Sequence, residues 1–169
     1  VAYTPGVLDD RVRRVLARLE AEDAADIAAG MIVEERSLPI GPDSGRLMFS
    51  FAAAIPGCRA LELGASRGYS TIWTAAGARL GGGHVTSLEL SPAKAAAWRA
   101  NLADAGLEDV ATLVEGDAAE SVATLEGPFD LVLLDAWKDA YEELFQLTRP
   151  LIRRGGVLVA DNVGNFAKR

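Results

Sequence analysis

Five short apolar runs in this chain each hand over to an acidic residue: Glu62, Glu89, Glu115, Asp135 and Asp161, the last followed by Asn162. One such acid is ordinary, because Asp and Asn favour turns and caps. Five in succession suggest one edge where chemistry is done. Asp135, Asp161 and Asn162 offer two carboxylates and an amide oxygen. These are hard ligands, suited to Mg²⁺ or another divalent cation such as Mn²⁺ or Ca²⁺, and a poor set for zinc. Adjacent parallel strands run about 4.8 Å apart, so two neighbouring strand ends can share an ion. The same residues can equally form a helix cap and a turn. Lys138 lies three residues past Asp135, at a predicted helix start where the dipole disfavours a cation. It reads either as an exposed lysine or as a base beside the metal, its pKa lowered by the cation and by burial.

A second constellation is a glycine loop. Gly64 and Gly68 are four apart, with Ser66 where a dinucleotide fingerprint needs its middle glycine. A tight strand-to-helix turn would need glycine without any ligand. A backbone approach to a nucleoside fits better, because Glu89 follows Gly64 by 25 residues, near the spacing at which an acid holds ribose hydroxyls. The Tyr-x-x-x-Lys pair of short-chain dehydrogenases is missing: four residues after Tyr3, Tyr69 and Tyr141 stand Val7, Trp73 and Phe145. A lone histidine, His84, argues against Ser-His-Asp triads and His-rich zinc sites, and a lone cysteine, Cys58, allows no intrachain disulfide. The remaining chemistry rests on carboxylates, amides, hydroxyls and the lysines Lys94, Lys138 and Lys168.

These residues need a scaffold, and the pattern supplies one. Leu8, Val12, Val15, Leu16 and Leu19 recur at helical spacing, with Arg11, Arg14 and Arg18 elsewhere around the helix as a solvated face or, less simply, a patch for an anionic partner. Helix is expected to continue from Ala24 to Arg36 after a break near Glu22 and Asp23, and another to run from Pro42 to about Ala54. From Arg59 strands and helices alternate. The strands are Arg59–Leu63, His84–Glu89, Val110–Glu115, Asp130–Asp135 and Val157–Asp161. The helices run from Tyr69 to Leu80, from Pro92 (capped by Ser91) to Gly106, near Ala118 to Leu125, and from about Lys138 to Arg149. Such alternation predicts an α/β fold with a doubly wound, mostly parallel sheet, whose ligands bind beyond the strands' carboxyl ends.

At 169 residues the chain reads as one domain, with N-terminal helices over 1–56 and an α/β core over 57–169. A net charge of −7 disfavours a nucleic-acid partner. The longest apolar run, Leu47 to Ile55, is interrupted by Ser50 and far short of a membrane span, and no targeting segment is visible, so a cytoplasmic protein is expected. The first residue is valine, which fits a fragment of a longer reading frame.

Three stretches resemble the cation-dependent, S-adenosylmethionine-dependent O-methyltransferases, the family of catechol and caffeoyl-CoA O-methyltransferases. They are Leu61-Glu62-Leu63-Gly64 through Gly68-Tyr69-Ser70, Leu134-Asp135-Ala136-Trp137-Lys138-Asp139-Ala140-Tyr141, and Val159-Ala160-Asp161-Asn162-Val163. Pro39-Ile40-Gly41-Pro42 fits the approach to the cofactor pocket, and the likeness spans 125 residues from Leu38 to Asn162. The resemblance implies a Rossmann-like class I methyltransferase fold and methyl transfer to a hydroxyl of a small, catechol-like acceptor with vicinal oxygens. By position, Glu62, Gly64, Ala65 and Ser70 would hold the methionine part of S-adenosylmethionine, Ile40 would help close the pocket, Gly68 and Asp135 would also bind the cofactor, and Glu89 would take the ribose hydroxyls. Asp117, Ala118 and Trp137 would surround the adenine, Asp135, Asp161 and Asn162 would bind Mg²⁺, and Lys138 would act as the base, with Asp135 beside it in the catalytic pair.

Two features depart from that family. It continues past the Asp-Asn pair with a helix and antiparallel strands, whereas this chain stops at Arg169, so those strands are expected to be missing. Ala136 stands where the catechol enzyme carries a cofactor-contacting histidine. Rival readings are a metal-independent methyltransferase of the same fold, a non-catalytic S-adenosylmethionine-binding domain, and a nicotinamide-dependent oxidoreductase. Phe166 and Arg36 are expected near the pocket mouth, and the apolar N-terminal helices are compatible with a homodimer.

Overall fold

In a computed structural model, five strands pair in the order β3-β2-β1-β4-β5, all parallel. The structure describes residues 8–32, 35–36 and 39–163. The strands are β1 (Arg59–Leu63), β2 (His84–Glu89), β3 (Ala111–Glu115), β4 (Phe129–Leu134) and β5 (Ile152–Ala160). The helices are α1 (Asp10–Ala28), α2 (Gly41–Ala54), α3 (Tyr69–Leu80), α4 (Pro92–Ala105), α5 (Ala118–Val122) and α6 (Tyr141–Thr148). A strand buried on both faces reads as a continuous apolar run. In β4, Leu131 and Leu133 face the core made by α1 to α4, while Val132 and Leu134 face the core beneath α5 and α6. Strand order reverses between β1 and β4, the switch point where ligands of such sheets bind. Among the described residues no antiparallel strand occurs, and no helix is long and apolar enough to cross a membrane.

Several expected boundaries move, and α5 ends at Val122 rather than near Leu125. Helix α1 runs unbroken through Glu22 and Asp23 and ends at Ala28, not Arg36. Both acids are paired, Glu22 with Arg18 one turn earlier and Asp23 with Arg36, and Gly30 at φ +71° supplies the left-handed residue that ends a helix. Strand β5 begins at Ile152 rather than Val157: Ile152 pairs with Phe129 before the ladder resumes at Leu131 and Val157. Asp130, at that irregularity, accepts from the Arg59 N–H at 2.8 Å and from Arg153, which draws the start of β5 alongside. The expected helix over 138–149 is an eight-residue helix flanked by single 3₁₀ turns, Lys138–Ala140 and Arg149–Leu151.

Two of the three arginines on that face of α1, Arg11 and Arg18, do more than meet solvent, while Arg14 is exposed. Arg11 donates to the main-chain oxygens of Ala103 at 2.7 Å and Asp104 at 3.0 Å, at the carboxyl end of α4. Arg18 donates to Asn101 at 2.8 Å and Asp104 at 3.1 Å. Cations at a helix C-terminus satisfy its last carbonyls and meet its negative dipole end. These contacts dock α1 on α4.

Candidate functional site

The turn from β1 into α3 is held from several sides. The N–H groups of Gly64 and Ala65 donate to Leu88 O at 3.1 and 3.0 Å, and Asp135 N–H donates to Leu63 O at 2.9 Å. Gly64 (φ +94°) lies so close to the end of β4 that a Cβ would stand 2.8 Å from the carbonyl carbon of Asp135. At Gly68 (φ +91°) a Cβ would stand 2.9 Å from Leu102 and 3.0 Å from Trp98. Both glycines are therefore demanded by the protein's own packing, and neither is by itself a ligand signal. Ser66, in the position of the middle glycine, adopts φ +48°.

Glu89 explains that loop. Its Oε2 accepts from the Ser66 N–H and its Oε1 from the Ser91 N–H, each at 2.7 Å. The carboxylate joins the ends of β1 and β2, so a sugar hydroxyl would share oxygens already in use. Glu62 is 2% exposed. Its Oε2 accepts from Ser87 at 2.6 Å and from Thr71, whose hydroxyl accepts from Trp98 Nε1 at 2.9 Å. Burial pushes the Glu62 carboxyl up, against the hydrogen bonds from Ser70, Ser87 and Thr71 that favour its charged form. Oε1 is buried without a partner. An orphaned acceptor beneath the switch point fits a bound group carrying N–H donors.

A cleft at the switch point is lined by Leu19, Pro39, Ile40, Gly64, Ala65, Ser66, Arg67, Tyr69, Ser70 and Asp135. Of the residues predicted for the cofactor, it brings Ile40, Gly64, Ala65, Ser70 and Asp135 together. Glu62, Gly68 and Glu89 support its floor and loop instead of lining it. The sequence reading missed Leu19, an α1 core residue indistinguishable by periodicity from its neighbours. It also missed Arg67, which lies within 4.0 Å of Glu22 and 3.9 Å of Asp26 and donates to Glu35 O at 3.3 Å. Tyr69 donates to Glu20 at 2.6 Å, so acids of α1 secure two cleft residues.

Further along the edge, Asp117 spends one oxygen capping α5, accepting from Ala119 N–H at 2.9 Å and Glu120 N–H at 3.1 Å, with Ala118 as the first helical residue. Trp137 is 58% exposed, as an apolar ring awaiting a flat partner would be. Leu90, unremarked in the sequence, is 63% exposed directly after Glu89, on the other side of β1. The signal available was its place: an apolar residue at a strand end with no strand left to bury it.

Asp135 and Asp161 follow register partners, Leu134 and Ala160, at the ends of β4 and β5. Asp161 N–H donates to Leu134 O at 3.1 Å, and Asn162, at φ +59°, turns its amide nitrogen to the Asp161 carboxylate. Lys138 Nζ donates to Asp135 Oδ1 at 3.1 Å and to Tyr141 Oη at 2.5 Å. Burial pushes the Asp135 carboxyl up to about 7, against the pull of Lys138 and with the added repulsion of Asp161. A cation and burial together are expected to lower the Lys138 pKa; the protein's own groups alone raise it. Burial alone would lower it, but the Tyr141 hydroxyl and the Asp135 carboxylate favour the ammonium, and the value is raised. Among the described residues no three His, Cys, Asp or Glu side chains converge on a metal position. Two carboxylates completed by the Asn162 amide oxygen nevertheless make a donor set chemically suited to a hard divalent cation. Arg36 pairs with Asp23 at 3.2 Å, and Phe166 lies outside the described residues.

Comparison with known proteins follows the same lines. The family described as methyltransferase domain matches residues 61–163. The chain is 40% identical over 141 residues to a catechol O-methyltransferase of Mycobacterium tuberculosis, covering 83% of this chain and 64% of that protein. It is 36% identical over 149 residues to one from Niastella koreensis, covering 84% and 67%. Among solved structures, cofactor-bound Rv0187 from MTB superposes with a TM-score of 0.78 at 37% identity, over 93% of this chain and 67% of that one. An O-methyltransferase from Bacillus cereus in complex with SAH gives 0.72 at 30% identity, over 92% and 67%. The chain thus spans just under two thirds of the length of the first of these relatives.

Proposed function

The chain belongs to the methyltransferase-domain family, and from that premise we propose that it moves a methyl group from S-adenosylmethionine to one hydroxyl of a small, catechol-like acceptor with vicinal oxygens, assisted by a divalent cation. The observation that carries the reading is the meeting of the Gly64–Ser70 loop with Asp135 at the β1–β4 switch point, with the Lys138 amine against Asp135. Relatives named catechol O-methyltransferase support the acceptor class, and a neighbour solved with SAH supports the cofactor.

On this reading Ile40, Gly64, Ala65 and Ser70 enclose the amino-acid part of the cofactor, with the free oxygen of Glu62 beneath. Glu89 offers its oxygens to the ribose while keeping the Ser66 loop in place. Trp137 and Leu90 cover the base, beside Asp117 and Ala118. Asp135, Asp161 and Asn162 would hold the cation, which supplies Lewis-acid stabilisation of an ionised hydroxyl. With Asp135 engaged by a cation, that carboxylate would hold the ammonium less tightly and the neutral amine would be favoured; Lys138, its own proton released, would then take the acceptor's proton at Nζ while the cleft walls hold the two reactants in line. The reading also carries a single domain over 1–169, a homodimer and a cytoplasmic location. Sedimentation of the purified protein tests the dimer.

Lys138 favours one second reading. Its ammonium already balances Asp135 at 3.1 Å, as a metal-independent methyltransferase would require. Methyl transfer to catechol in excess EDTA separates the two: loss of activity, restored by Mg²⁺, supports the cation, and full activity in EDTA refutes it. Asp161→Ala is expected to raise the Mg²⁺ concentration needed while leaving S-adenosylhomocysteine binding intact.

A further inference from the structure

The Tyr141 hydroxyl stands where three parts of the site meet. It accepts from Lys138 Nζ at 2.5 Å and faces two main-chain carbonyls, Leu134 O at 3.0 Å and Asp161 O at 3.1 Å. A phenol has one hydrogen. Here that hydrogen is directed to the two carbonyls, which turns the oxygen's lone pairs to the amine. Lys138 Nζ also lies 4.5 Å from the Tyr141 ring centroid. The other acceptor of the amine, Asp135, is a candidate cation ligand, so any cation bound there competes with Lys138 for the same carboxylate. A lysine is a point charge on a flexible stem, and one shared acceptor does not give it a direction.

Resting on the function proposed above, we propose that Tyr141 is the positioning residue for Lys138: its hydroxyl fixes the amine against the ends of β4 and β5 whether or not Asp135 is engaged elsewhere. Tyr141 touches no reacting atom and acts through the lysine. This role is separate from the closing of the sheet, because the strand ends are already joined by Asp161 N–H to Leu134 O at 3.1 Å.

The chain has lysines at 94, 138 and 168 alone, so ¹³C-labelled lysine gives few signals. The ε-methylene of Lys138, assigned from Lys138→Ala, is expected to show shifts displaced by the tyrosine ring and to keep them at saturating Mg²⁺. In Tyr141→Phe the displacement is expected to collapse, with kcat falling about 10- to 100-fold and the cofactor KM little changed. Mg²⁺ affinity by titration calorimetry is expected to be nearly unaltered. The two substitutions are expected to be strongly non-additive in kcat, because one acts through the other. A wild-type Lys138 signal that moves to the mobile position on adding Mg²⁺ overturns the proposal, as do additive losses. A Tyr141→Phe chain that fails to fold makes the hydroxyl a structural staple and overturns it too. If the wild type transfers no methyl group, the proposed function fails, and the lysine spectra alone decide whether Tyr141 holds the amine.

Discussion

Substituting alanine at Gly64 tests whether the β1 loop and the end of β4 are held in contact. Two costs add. A non-glycine residue at φ +94° is strained, at about 1–2 kcal/mol by the left-handed penalty. The new Cβ also meets the Asp135 carbonyl group, with its carbon at 2.8 Å and Ala136 N at 3.0 Å. Backbone atoms do not give as side-chain tips do, so overpacking adds about 1–3 kcal/mol. The expected total is about 2–5 kcal/mol. Gly82 is the internal control: its φ is +70°, and a Cβ there meets nothing within 4 Å. Gly82→Ala should therefore show the conformational cost alone, about 1–2 kcal/mol. Urea unfolding followed by tryptophan fluorescence measures both. Gly64→Ala should also weaken S-adenosylhomocysteine binding, since the loop can relieve the clash only by leaving Asp135, while Gly82→Ala should not. Equal destabilisation by the two substitutions would refute the argument.

Glu89→Ala is expected to lower S-adenosylmethionine affinity by about 1–3 kcal/mol and to speed amide exchange at Ser66 and Ser91, whose N–H groups lose their acceptor; unchanged exchange would sink the bracing role. Glu62, pushed up by burial from the ordinary 4.5, binds its proton more tightly when folded. Its contribution to stability is complete below that ordinary value and is lost as pH rises through the folded one, so Glu62→Gln should flatten this part of the stability profile. Urea midpoints across pH that keep the wild-type slope would contradict that. Cys58, buried and raised to about 11 by burial and then by Asp130, should resist Ellman's reagent at pH 8 until the chain unfolds. Arg11→Ala removes two caps on the end of α4 and should cost about 1 kcal/mol, read in urea, with faster exchange along α1.

Much of the fold was legible because its signals are local. The limits of β1, β2 and α3 follow from apolar runs bounded by glycine and polar residues, and Ser91-Pro92 announces α4 through capping geometry that a few neighbouring residues decide. The row of acids at the strand ends was legible too, because parallel strands joined by helices must deliver their carboxyl ends to one edge. What each acid does there was not. Glu62 serves a network reaching Ser87 and Trp98, Glu89 braces a loop 23 residues away, and Asp117 caps its own helix. The charge of Lys138 depended on Tyr141 and Asp135 arriving beside it, and Arg11 and Arg18 of α1 found acceptors more than 80 residues along the chain. Caps and periodicity are properties of adjacent residues, whereas protonation and pairing depend on which distant groups share a buried volume, and only the packed sheet and its helices decide that.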